Sequence, residues 1–165
     1  MEKIDSLNQV AEFHRTFNAP ILDTPQIPSE QRCELRVSLL QEELDELAQA
    51  IKDKDLVEIA DALCDIQYVL SGAVLEFGLG GKFVDLFNEV QRSNMSKACS
   101  TEEEAQMTLD HYKQKDGTEG YYKEINGKWL VYRASDDKVL KSINYSPADL
   151  IFQLKKYLDA NLYNL

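Results

Sequence analysis

Basic residues are scarce in this chain. Its 165 residues hold 18 lysines and arginines against 29 aspartates and glutamates, a formal net charge of −11. A protein that coats nucleic acid or an anionic membrane needs a basic face, so neither is expected among its partners. Cysteine is equally sparse. Cys33, Cys64 and Cys99 are odd in number and show no CxxC spacing, which speaks against a disulfide or zinc framework and for reduced thiols in the cytoplasm. The two histidines, His14 and His111, follow no glutamate at Glu-x-x-His spacing, which disfavours a carboxylate-bridged di-iron bundle. The opening MEKIDSLNQ lacks the basic-then-apolar order of a signal peptide. The most apolar stretch, 59–79, is broken by Asp61, Asp65 and Glu76, acids that a membrane span would not carry. There are no repeats and no low-complexity tracts.

What is present is helical periodicity. Ile4, Leu7, Val10, Ala11, Phe13 and Phe17 predict a first helix over about 3–17. Three prolines in nine residues (Pro20, Pro25, Pro28) make the next stretch an ordered loop. Ser29 can cap a second helix reaching about Lys52, whose seam of Cys33, Val37, Leu40, Leu44, Leu47 and Ile51 suits packing against another helix. KDKD (52–55) is a tight connection. Asp55 can cap a third helix that ends by Gly78, and a fourth runs from about Lys82 to Met95. The character changes after Lys97. A short polar helix to about Lys115 precedes two aromatic-rich strands around Asn126-Gly127, a strong hairpin signal, and Ser146-Pro147 opens a last helix with Leu150, Ile151, Leu154 and Leu158 on its apolar face. The expected fold is all-α, a bundle built on a helical hairpin with a small C-terminal β-hairpin. One domain spans 1–165, with a core over about 1–99 and a hairpin-and-helix appendage over about 100–165.

Acids concentrate in 42–65, where nine face two lysines. At about 100° per residue, Gln41, Asp45 and Lys52 share the solvent side of the second helix, while Glu43 and Glu46 lie on the sector of Leu39, Leu47 and Ala50. The third helix is apolar almost all round, as a buried helix is, yet Glu58, Asp61 and Asp65 fall in one stripe. Carboxylates in such a setting are costly unless paired or bound to metal. An antiparallel hairpin turning near residue 54 puts Glu46 level with Asp61 and Glu43 level with Asp65, with Glu58 about one turn away. The nearest basic side chain is Arg36, two turns before Glu43. All-oxygen coordination of this kind suits Mg²⁺ or Mn²⁺. Two blander readings stand beside this one: Asp55 and Glu58 are spaced as a capping box, and the whole set can be a solvated acidic patch.

Glu42-Glu43-x-x-Glu46 followed by Glu58-x-x-Asp61 resembles the EExxE…ExxD signature of the MazG-like, all-α nucleoside-triphosphate pyrophosphohydrolases. The context VAEFHRTF, DALCDIQYVLSGAVLEFG and RSNMSK is similar to the phosphoribosyl-ATP-pyrophosphohydrolase-like branch over about 8–97, with a weaker echo in DDKVLKSINYSPADL. The resemblance implies Mg²⁺-dependent hydrolysis of a nucleotide to monophosphate and pyrophosphate, in nucleotide-pool housecleaning or metabolism. It implies Glu43, Glu46, Glu58 and Asp61 as metal ligands, with Asp65 in support and Glu42 as the water-activating base or a group behind the ligands. It also implies that Asn94 and Lys97 face the triphosphate. Arg92 is a further candidate for phosphate, although Arg92 and Lys97 equally suit the dipole at a helix C-terminus. Lys141, Asn144 and Tyr145 are candidate additions. Tyr68, one turn past Asp65, either borders the base pocket or fills the core. His14 reads as a surface or interface residue. The apolar third helix exceeds what one chain can cover, so a homodimer or a dimer of dimers is expected. The rival from another class is a non-catalytic helical homodimer that binds a partner through its acidic face.

Overall fold

The computed structural model describes residues 4–155. Among them the chain is mostly helical, with one two-stranded antiparallel sheet. Packing divides it into two compact units, one holding 4–84 with 154–155 and the other 85–153. The division falls inside the first turn of the fourth helix, whereas the sequence pattern changes only after Lys97.

In the first unit, α1 (Ser6–Thr16), α2 (Glu30–Asp53) and α3 (Leu56–Glu76) pack with α3 against both others. The long pair α2–α3 is the expected hairpin. Its turn is tight because Lys54 takes a left-handed conformation (φ 57°) and returns its N–H to the carbonyls of Ala50 and Ile51. Asp55 then caps α3, accepting from the N–H groups of Val57 and Glu58 at 2.9 and 3.2 Å. Ser29 sits at the N-cap of α2 but offers only its backbone carbonyl, to the N–H groups of Arg32 and Cys33. α3 stops at Gly78, whose φ of +69° and whose approach to the Thr24 carbonyl leave no room for a Cβ. The proline-rich loop is ordered as expected: Leu22 and Gln26 donate backbone N–H bonds to the carbonyls of Leu75 and Phe77, and Pro25 is buried. Val10, Ala11, Leu75 and Ile21 form the small apolar core where α1, the loop and α3 meet.

The apolar seam of α2 is only half covered among the described residues: Cys33, Leu40 and Leu47 are half-buried. Val37, Leu44 and Ile51 are exposed, as are Leu56, Val57, Leu63 and Leu70 of α3. Apolar character all round α3 therefore does not mean burial inside one copy. No single helix among the described residues is long and apolar enough to cross a membrane.

In the second unit, α4 (Phe83–Met95) leads to α5 (Glu102–Asp116), capped by Thr101, and to the hairpin of β1 (Gly120–Ile125) and β2 (Lys128–Arg133). Asn126 and Gly127 both adopt positive φ at the turn, as the Asn-Gly pair predicts. Cys99, Ala105, Val131 and Leu140 form the core, with Leu109, Tyr112, Tyr122 and Trp129 around them. The last helix starts later than expected. α6 (Leu150–Lys155) is capped by the Asp149 carboxylate, which accepts from the Phe152 N–H at 2.8 Å, while Ser146 is occupied with Arg92 and Ser96. Leu158, expected on its apolar face, lies outside the described residues.

Candidate active site

Two groups of charged side chains lie along the α2–α3 hairpin, and they differ in kind. Toward the open end, Glu76 is fully buried. Its carboxylate accepts from Nε and Nη2 of Arg32 and from Nη2 of Arg36. Burial alone pushes its pKa up, but the hydrogen bonds and positive charge of the two arginines outweigh burial and hold it below the ordinary carboxylate value. His14 closes the group from α1. It is 2% exposed, so the expectation of a surface or interface histidine is corrected. Its Nδ1–H donates to the Pro20 carbonyl at 2.8 Å, which leaves Nε2 to accept from Arg36 at 3.3 Å. Gly72 makes this possible, because a Cβ there would meet Arg36 Nη1 at 2.7 Å. Arg36 Nε is buried without a hydrogen-bond partner among the described residues. Part of the signal for this network was in the sequence, an acid inside an apolar helix; that two arginines of the partner helix reach it was not.

Nearer the turn lie acids that no cation pairs among the described residues. Glu43 is half-buried, and its carboxyl is held above the ordinary value, by burial first and then by the negative charges of Asp65, Glu46, Glu42 and Asp61. Among those charges Asp65 acts most strongly, in keeping with the register that sets it level with Glu43. Glu42 and Glu46 border an open groove of about 890 Å³ along α2, which Cys33, Val37, Ser38 and Gln41 also line. Glu58 and Asp61 are exposed, and Asp65 is half-buried. The capping-box reading of Glu58 is corrected: the Asp55 N–H that Glu58 would have to accept is donated to the Ala50 carbonyl, at 3.1 Å. Among the described residues no salt bridge engages any of these acids.

Hard oxygen donors, an excess of negative charge and no protein cation fit a hard divalent ion in donor chemistry and in charge. As they stand, no three acidic, histidine or cysteine side chains among the described residues gather into a set that would hold one.

Tyr68 is 39% exposed and not a core tyrosine; its ring meets Phe13 edge-on at 5.6 Å. In the second unit the three polar candidates have partners of their own. Arg92 forks onto Glu89 and also donates to the Ser146 hydroxyl and the Pro147 carbonyl, so its guanidinium fastens that unit together. Lys97 donates from Nζ to Asn94 Oδ1 at 2.7 Å.

Comparison with known proteins agrees with the motif. The family model of phosphoribosyl-ATP pyrophosphohydrolase matches residues 10–94. The chain is also similar to the uncharacterized protein L479 of Acanthamoeba polyphaga mimivirus, 26% identical over 231 aligned positions that span 86% of this chain and 92% of the relative. The match over 10–94 takes in most of α1, the whole α2–α3 hairpin and most of α4, and the chain belongs to the phosphoribosyl-ATP pyrophosphohydrolase family, within the MazG-like all-α superfamily.

Proposed function

We propose that this family member hydrolyses a nucleoside triphosphate, or a related nucleotide, between the α- and β-phosphates. Water adds to the α-phosphorus, the bond to the bridging oxygen breaks, and monophosphate and pyrophosphate leave. Glu43, Glu46, Glu58 and Asp61 would hold Mg²⁺ or Mn²⁺, with Asp65 in support. Bound there, the ion supplies the positive charge that the triphosphate needs and polarises the scissile bond. Glu42 accepts the proton of the attacking water. The observation that carries this reading is the uncompensated charge at Glu43: acids from both helices of the hairpin act on one carboxyl group, inside the segment that matches the family.

The exposed apolar residues of α2 and α3 support a homodimer, or a dimer of dimers, closed over the hairpin. That no three-ligand set is gathered among the described residues favours the rival reading, an acidic face that binds a protein partner. One experiment separates the two. With Mg²⁺ and a panel of canonical, deoxy- and modified nucleotides, pyrophosphate is the expected product, and chelator stops its release. Orthophosphate as the first product, or no turnover at all, sinks the hydrolase reading.

A further inference from the structure

The hairpin of the second unit treats its two edges differently. Its register pairs Ile125 with Lys128 across the Asn126-Gly127 turn, then Lys123 with Leu130 and Tyr121 with Tyr132. In a two-residue hairpin the pair flanking the turn exchanges hydrogen bonds, and so does every second pair after it. The residues between point their backbone groups away from the ladder: Trp129, Val131 and Arg133 on β2, and Gly120, Tyr122 and Glu124 on β1. The outer edge of β2 is closed. Trp129 exchanges bonds with Cys99 at 2.8 and 3.0 Å, the Val131 carbonyl accepts from the Leu140 N–H at 2.8 Å, and the Arg133 N–H donates to the Lys138 carbonyl at 2.9 Å. The outer edge of β1 is open. Among the described residues no hydrogen bond engages the outward backbone groups of Gly120, Tyr122 or Glu124, and Lys123, Glu124 and Ile125 are exposed.

An open edge is a template for another strand, and the sequence of β1 suits a second copy of itself. In an antiparallel pair centred on Tyr122, every outward N–H and carbonyl of one strand meets its counterpart in the other. Lys123 then stands opposite Tyr121 of the second copy. β1 already makes that contact internally, with Lys123 Nζ 5.0 Å from the centroid of the Tyr121 ring. Glu124 stands opposite Gly120, which has no side chain to oppose it. Centring the pair on Lys123 or on Glu124 instead would set like charges directly opposite, and centring it nearer Gly120 would shorten the overlap.

We infer that β1 is a self-association edge, through which two copies of this chain join their hairpins into one antiparallel sheet. The hairpin lies outside the family match over 10–94, so this contact is separate from the helical dimer face and does not rest on the hydrolase reading. A strand pair of this length buries well under about 1,000 Å², so the contact is weak by itself and shows as a concentration-dependent step.

Sedimentation equilibrium of the full chain reads that step, and residue-resolved amide hydrogen exchange locates it. The N–H groups of Tyr122 and Glu124 should exchange freely at low concentration and gain protection at high concentration. Those of Lys123 and Ile125, bonded inside the hairpin, should be protected alike at both. Glu124→Pro removes an outward N–H without touching the ladder, once in each copy, and should weaken the step about tenfold or more. Glu124→Thr keeps the N–H and should not weaken it. Unchanged exchange at Lys123 and Ile125 establishes that the hairpin is intact in both variants. Exchange at Tyr122 and Glu124 that ignores concentration, or association of wild-type strength in Glu124→Pro, overturns the inference. So does a step that survives Glu124→Pro and is lost in Leu44→Asp, because it then belongs to the exposed α2 seam.

Discussion

The two ends of the α2–α3 hairpin use the same residue type to opposite effect. At the open end a single carboxylate, Glu76, has two arginines, is fully buried and is held ionised. Near the turn, six carboxylates form no salt bridge among the described residues, and Glu43, half-buried like Asp65, is driven toward its protonated form. The first group carries its own counter-charge and locks three helices together. The second is unsatisfied as a protein structure and makes sense once positive charge is brought from outside. A carboxylate's neighbours, more than its burial, distinguish a structural acid from a candidate ligand.

The largest expected effect breaks the satisfied end. Glu76→Gln leaves two arginines facing a neutral amide and should cost about 3–5 kcal/mol, read by denaturant unfolding. The acid dependence follows from the sign of the shift. A carboxyl held low in the folded state contributes stability above the ordinary carboxylate range and loses it as pH falls through the folded value, so the gap between wild type and Glu76→Gln should close in acid. Equal stability of the two proteins at pH 7 would show that the network is idle.

At the other end, Mg²⁺ should raise the Tm of the unaltered protein, and Glu46→Gln and Asp61→Asn should each weaken that rise and lower turnover on the order of 10²-fold with the fold intact. A Tm response to Mg²⁺ that is unchanged in both variants would remove these residues from the ligand set, whatever the turnover. The smallest effect is at Glu43. Its carboxyl keeps its proton to higher pH when folded than when unfolded, so the ionised group costs stability above its folded value and nothing once both states are protonated. Glu43→Gln should therefore raise the metal-free Tm at pH 7–8 by an increment worth less than about 1 kcal/mol, and the gain should fade toward pH 4. A loss of stability at pH 7 would mean that the acids are not repelling one another.

Most elements were legible because each rests on local chemistry. Apolar periodicity marked α1 to α4, Asp55 marked a helix start, Gly78 marked a stop, and Asn126-Gly127 marked the hairpin. The start of α6 was misplaced because Ser146 and Asp149 are both competent caps, and the sequence does not say that Ser146 is engaged by Arg92. The stripe of Glu58, Asp61 and Asp65 was visible on a helical projection, and the same projection places Glu76 on it. The two arginines that make Glu76 structural lie 44 and 40 residues away, beyond any local pattern.

By itself, then, the sequence determined which segments are helical, where the hairpin turns and which face of each helix bears acids, since all three follow from contacts within about a turn of chain. Tertiary structure alone decided which acids received cations, that His14 is interior, that half of the α2 seam stays exposed, and that Lys141 rests against the Tyr145 ring. These outcomes depend on helices and segments far apart in the chain coming together, and burial and charge pairing are properties of that meeting and of no single segment.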